Sequence, residues 1–337
     1  MQLFGRRGHK NLWPVGRQAD NTFGDEVMKK VISNIVFAKN RPLQLEGYLR
    51  SLYRYFPAEL IATYVIYKPE LFADEYGSVF SRYRNVRVIT EGDFHSDVMG
   101  VINGAATKYI LFGIDDVVFF DRVGFEVIDK TFEKAGDDIF GFTLRFGSDS
   151  LKGAGDQISD EQIAGQAVYK LDWTKGQTPH TRYPFELCCT FYRTELVKTI
   201  LEGSISRNPA TKKLFGPASV LAKAVSPLGL RRSLLKRFGF FYSPNTLESW
   251  PCRWCQRNSE KLPRFTYFQK HCASAVQVNM VNVSTVNTTD GTAEHTVEAL
   301  NEKYRQGYRL DIDYVAANRP SGPGCGRECF RLTKTRM

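Results

Sequence analysis

The chain has 337 residues, 42% of them apolar and 13% aromatic, and a formal net charge of +10. That length suits about two domains, or one large α/β domain with additions, and the composition allows a sizeable core. No apolar run approaches the ~20 residues that cross a bilayer, and the polar, basic start has no apolar stretch behind it, so secretion and membrane spanning are unsupported and the expected location is cytoplasmic.

On that reading the sequons at Asn282 and Asn287 carry no glycan. The odd set of seven cysteines stays as free thiols. Cys252 and Cys255 have metal-ligand spacing, and Cys325 with Cys329 could complete a zinc set, although a lone CxxC is a weak signal.

Residues 1–30 mix Gly, Arg, Asn and Gln without periodicity and read as a flexible arm. Residues 31–38 are a strand candidate, ended by Lys39-Asn40-Arg41-Pro42, where Asn40 can cap a helix and Pro42 can occupy its first turn. Leu45, Tyr48, Leu49, Leu52, Tyr53 and Phe56 then recur at helical spacing until Pro57. Further strands are predicted at 61–67 and 86–89, with helices near 71–76 and over 96–106 leading into a strand at 109–112. Strands alternating with helices favour parallel pairing, because each return needs a crossover. A helix at 123–134 and a strand at 139–144 follow. The polar, glycine-rich stretch 147–165 reads as a mobile loop, and strands at 169–173 and 185–192 precede a short helix at 194–201. A last helix is expected at 293–306, capped by Thr292. From Arg319 onward the composition is that of a disordered tail.

The stretch Tyr109-Ile110-Leu111-Phe112-Gly113-Ile114-Asp115-Asp116 carries the most chemical information. Two acids at the carboxyl end of a buried strand sit where the sheet opens to ligand. Buried carboxylates need a partner, either a basic side chain, hydrogen-bond donors or a hard divalent cation, and the cation suits a site that also holds phosphate oxygens. An exposed turn or a helix start at Asp121 is the plainer alternative. Neither GxGxxG nor GxxxxGK[ST] occurs, so a bound nucleotide would rely on metal and side chains to offset its phosphates.

The segment Ile35-Val36-Phe37-Ala38-Lys39-Asn40-Arg41-Pro42, with the helix after it and Asp115-Asp116 about seventy-five residues on, resembles the opening and the DxD-type motif of GT-A-fold glycosyltransferases. The end of the chain, 274–283 with 293–311, is similar to uncharacterised bacterial proteins of that kind. The resemblance implies an α/β fold with a doubly wound, mixed but largely parallel sheet flanked by helices. It divides the chain into the arm 1–30, a nucleotide-sugar-binding part 31–202, a basic and acceptor-side part 203–315 and the tail 316–337.

It also implies that Asp116 ligates Mn²⁺ or Mg²⁺, while Asp115 contacts the ribose or orients metal-bound water. The usual first aspartate is replaced by Ile114. Lys39 and Arg41 could assist with nucleobase or phosphate, or be solvated loop cations. Asp93 could face the donor or cap a helix, as could Asp97. His271 and His295 are candidates for a further metal ligand. An inverting enzyme needs a carboxylate to take the acceptor proton, for which Glu248 is favoured over Glu186 and Asp172; a retaining one does not require it there.

Residues 203–247 contain no acid and eight basic residues. Leucines and phenylalanines interleaved with those cations could lie at an anionic membrane surface, or pack on the core with the charges in water. The expected function is transfer of a sugar from a nucleotide-diphosphate donor, with divalent metal, to a glycan or lipid-linked acceptor, and no specific nucleic-acid binding. The alternatives are a non-catalytic nucleotide- or glycan-binding protein and a peripheral membrane or polyanion binder.

Overall fold

The computed structural model describes residues 30–135, 138–148, 150–151, 157–205, 240–260, 264–281, 288–289 and 292–334. The basic residues from Arg207 to Arg237 and the asparagines of both sequons therefore lie outside the described residues.

The order begins β1 (Ile32–Lys39), α1 (Pro42–Tyr55), β2 (Ile61–Lys68), α2 (Ala73–Arg82), β3 (Arg87–Thr90), α3 (Phe94–Gly104) and β4 (Tyr109–Ile114). It continues with β5 (Val117–Phe119), α4 (Phe125–Ala135), β6 (Ile139–Thr143), β7 (Gln157–Ile163), β8 (Gln166–Asp172), β9 (Thr190–Arg193) and α5 (Thr194–Ser204). The last part holds α6 (Pro244–Arg257), β10 (Arg264–Phe268), β11 (Ala273–Val276), β12 (Asn279–Met280), β13 (Thr288–Thr289), α7 (Val297–Arg305), β14 (Tyr308–Leu310), α8 (Ile312–Ala317), β15 (Gly324–Cys325) and β16 (Leu332–Lys334).

Nine strands form the central sheet in the order β3-β2-β1-β4-β9-β6-β10-β8-β7. β3, β2, β1 and β4 are mutually parallel, and β6 runs parallel to β10. Only β9 and β8 run against that direction. The fold is thus the mixed, largely parallel α/β sheet flanked by helices that the sequence implied. β1 is buried over all but its last residue, as a central strand covered on both faces must be, and its apolar run has no polar alternation for that reason.

Gly113 in β4 meets a spatial demand. A Cβ there would run into the Tyr48 ring and hydroxyl, and that hydroxyl donates to Asn34 Oδ1 at 2.8 Å. Gly113→Ala should therefore cost about 1–3 kcal/mol by overpacking, read as a lower denaturant midpoint at unchanged slope.

Four expectations about organisation are corrected. β10 lies between β6 and β8, so residues beyond 203 complete the main sheet rather than form a separate part. Within the supposed loop 147–165, Gln157–Ile163 pairs antiparallel with β8. Within the supposed tail, β15 pairs with β11 and β16 with β14, which satisfies backbone groups that composition alone cannot see. The last helix begins at Val297, since the Thr296 side chain, not Thr292, accepts from the helix's backbone at Ala299.

Candidate active site

The acids sit where the chain changes sheets. β4 belongs to the central sheet beside β1, whereas β5 pairs with β11 in a second sheet of three strands, and Asp115 and Asp116 are the residues between them. Both ends of this junction are pinned: Asp115 N donates to Phe37 O at 3.1 Å, and Val276 N donates to Asp116 O at 2.8 Å. The acids are consequently held at 1% and 5% exposure.

The first turn is built around Asn40, whose φ of +52° is left-handed, a conformation asparagine tolerates better than most residues. Its Oδ1 accepts from Leu71 N at 3.0 Å, and Arg41 N donates to Tyr76 Oη at 2.9 Å. This turn brings the Arg41 guanidinium over the acids. Nη2 pairs closely with Asp115 Oδ1, while Nη1 reaches Asp116 Oδ2 at 3.1 Å and the Asn279 carbonyl at 3.1 Å. The remaining Asp115 oxygen accepts from Lys39 N at 3.2 Å. Asp116 Oδ1 is buried with no hydrogen-bond partner among the described residues. Burial pushes Asp115 up to about 6, with the Arg41 charge opposing and the Asp116 charge adding to the rise.

Beside this cluster opens a cleft of about 760 Å³, its mouth included, bordered by Lys39, Arg41, Lys68, Glu91, Asp115 and Tyr242. Lys39 pairs with Glu70 at 2.9 Å, and Lys68 lies 3.8 Å from Glu91. The start of α6 forms another wall, with its N-cap Ser243 in the lining. Glu91 and Lys68 were not singled out in the sequence; the signal was available, since Glu91 is the first residue after β3, at the same carboxyl edge as Asp115.

Glu248 lies in α6, one turn beyond the residues that line the cleft. Its Oε1 accepts from Leu187 N at 3.1 Å, and burial holds its carboxyl above the ordinary range, against that hydrogen bond and the Arg145 charge. Cys188 feels the charges of Arg145, Glu248 and Asp116. Burial, the largest influence on that thiol, keeps it protonated.

Both rivals of Glu248 are committed elsewhere. Glu186 is buried in a close pair with Arg145 and also accepts from Thr190 and, at 3.3 Å, Thr143. Asp172 caps the short turn Trp173–Lys175; burial works against its charge, but the Thr174 hydrogen bonds prevail and hold it below its ordinary value.

The remaining candidates have other partners, and Asp93 takes the capping role. Asp93 accepts from Ser96 N at 2.9 Å as the N-cap of α3 and does not line the cleft. Because β11 runs antiparallel to β5 with Ala273 opposite Phe119, His271 is carried to the end of β5 away from Asp116, where its ring meets Phe120. The His295 ring packs on Phe330, though its carbonyl accepts from Asn279 Nδ2 at 2.7 Å. Cys252 and Cys255 are buried in α6 against the core. The described residues contain one group of three His, Cys, Asp or Glu ligand atoms within 4.8 Å, namely Cys325, Glu328 and Cys329, none of which lines the cleft. The zinc set joining both cysteine pairs is therefore not formed.

The donor set at Asp116 nevertheless fits a hard cation. Asp116 itself does not line the cleft, which its neighbour Asp115 borders, but one orphaned carboxylate oxygen is what Mg²⁺ or Mn²⁺ uses when substrate phosphates and water fill the other positions.

No family model matches the chain. Over 193 residues it is 20% identical to the bifunctional glycosyltransferase pgtA of Dictyostelium discoideum, covering 51% of this chain and 25% of that protein. The chain is distantly related to a glycosyltransferase. It spans about a quarter of the length of that relative. Among solved structures, residues 1–349 of S. aureus TarS in complex with UDP give a TM-score of 0.35 at 17% identity, covering 50% of this chain and 48% of that one. A 4-diphosphocytidyl-2C-methyl-D-erythritol synthase from Anaerococcus prevotii gives 0.33 at 13% identity, over 68% and 99% of the two chains.

Proposed function

We propose that the protein is a glycosyltransferase that moves a sugar from a nucleotide-diphosphate donor, with Mn²⁺ or Mg²⁺, to a glycan or lipid-linked acceptor. The observation that carries this is the orphaned Asp116 Oδ1, buried at the carboxyl edge of the sheet next to Asp115, which borders a cleft together with Lys39, Arg41 and Lys68. A buried acceptor without a donor is costly, and a cation is the partner that the neighbouring phosphates would share. The distant glycosyltransferase relative supports the same reading.

In this reading the nucleoside enters between the ends of β1, β2 and β3, with Glu91 and Lys68 at its polar edge. Lys39 and Arg41 face the diphosphate. A bound divalent cation supplies charge that offsets the leaving diphosphate as the glycosyl bond breaks, and Asp116 would hold it. Glu248 takes the acceptor hydroxyl proton on Oε2, the oxygen not engaged by Leu187. Its raised affinity for protons makes it a better base than an exposed glutamate.

A thermal-shift screen of UDP-, GDP-, CMP- and dTDP-sugars, each with and without Mn²⁺, tests the donor without needing an acceptor. One family of donors should raise the melting temperature, and only with metal. A protein that no donor stabilises in Mn²⁺ would refute the reading. Donor binding without any release of nucleotide would favour the non-catalytic alternative.

A further inference from the structure

We propose that Arg41 is the resident counter-ion of the acid pair, which a divalent cation must displace, and that the released guanidinium then serves the donor's phosphates. The inference rests on the function proposed above and adds its control: metal and nucleotide bind cooperatively because both compete with, or recruit, one side chain.

The geometry is that of a site filled by its own chain. Three of the four carboxylate oxygens are engaged, two by Arg41 and one by Lys39 N, leaving only Asp116 Oδ1. The two acids and one guanidinium carry a net charge of −1, which repels a diphosphate. A cation placed on Asp116 would face a guanidinium 3.1 Å from the other oxygen of the same carboxylate, so the two positive groups compete for one carboxylate and each weakens the other's hold on it.

Arg41 is suited to leave. Its backbone is fixed by the Tyr76 hydroxyl and by the turn between Asn40 and Pro42, while its Nε has no partner among the described residues. Among the described residues, its side chain makes one further hydrogen bond, to the Asn279 carbonyl at 3.1 Å. Arg41 already borders the cleft together with Lys39 and Lys68. Metal on the acids would neutralise them and leave the guanidinium charge facing the cleft, where it matches phosphate oxygens through two parallel donors. By linkage, a diphosphate that holds the guanidinium away from the acids must raise metal affinity by the same factor.

The test measures Mn²⁺ binding to the full chain by calorimetry or electron paramagnetic resonance, alone and with inorganic pyrophosphate as the diphosphate probe. Wild type should bind Mn²⁺ weakly alone and about tenfold or more tightly with pyrophosphate. Arg41→Gln should bind Mn²⁺ alone about tenfold more tightly than wild type, bind pyrophosphate more weakly in saturating Mn²⁺, and lose the coupling. Arg41→Lys, whose single ammonium cannot bridge both acids, should fall between them, and a native circular-dichroism spectrum confirms that each variant is folded. Arg41→Gln binding Mn²⁺ no more tightly than wild type, or retaining the full coupling, overturns the proposal while leaving the metal reading intact. Absence of Mn²⁺ binding in both proteins, with pyrophosphate present, overturns the metal reading itself.

Discussion

Asp116→Ala is expected to reduce donor turnover by about 10³-fold or more, the scale of losing a group that stabilises charge on a leaving diphosphate. The same change should leave the melting temperature close to wild type. Arg41 keeps its close pair with Asp115 in the variant, and removing one of two adjacent buried acids relieves repulsion rather than stranding a charge. The two readouts together separate a site residue from a structural one. Nucleotide release from a sugar donor, followed at saturating Mn²⁺, would show the loss. Undiminished release in the variant, or full activity in chelator, would remove the metal assignment. Asp115→Asn should act differently, weakening nucleotide binding more than turnover, because Asp115 is already shared between Arg41 and Lys39 N.

Glu248→Gln is expected to lower the rate of transfer to acceptor by about 10²- to 10⁴-fold, the range for loss of a positioned general base, while donor affinity stays within a few fold. The pH profile supplies the sharper signature. Burial raises the Glu248 carboxyl above the ordinary glutamate value, so it stays protonated to a higher pH, and the wild-type rate should fall as pH drops through that raised value. The acidic limb should vanish in the variant.

Stability should move the other way. A carboxyl with a raised folded value binds its proton more tightly folded than unfolded, so its contribution to stability declines as pH rises from the ordinary value through the raised one. Above that window Glu248→Gln escapes the penalty, and its amide oxygen can still accept from Leu187 N. A variant that melts well below wild type at neutral pH, or one that keeps the acidic limb, would assign the proton transfer to another group.

Pattern alone was sufficient wherever the determinant was local. The apolar run of β1 announced a strand covered on both faces, the helical spacing from Leu45 to Phe56 announced α1, and the acids at the end of β4 announced an edge open to ligand. Even within α1 the spacing understated the burial. Gln44 and Glu46 are buried as well, and the Gln44 amide donates to Asn279 Oδ1 at 3.3 Å, a partner 235 residues away in sequence. The position of Glu91 could have been read from the same rule that selected Asp115, since both follow directly from the carboxyl ends of parallel strands.

The sequence by itself determined the alternation of strands and helices, the burial of the central strands and the placing of two acids at a sheet edge, because hydrophobic period and turn chemistry act between near neighbours. Tertiary structure decided what answers those acids. The left-handed turn at Asn40 swings Arg41 onto a pair seventy-five residues away in sequence; the antiparallel register of β11 against β5 carries His271 away from them; and the Arg145 pair commits Glu186. Partners of a buried charge are chosen by distance in space, and distance between remote segments exists only once the sheet has closed.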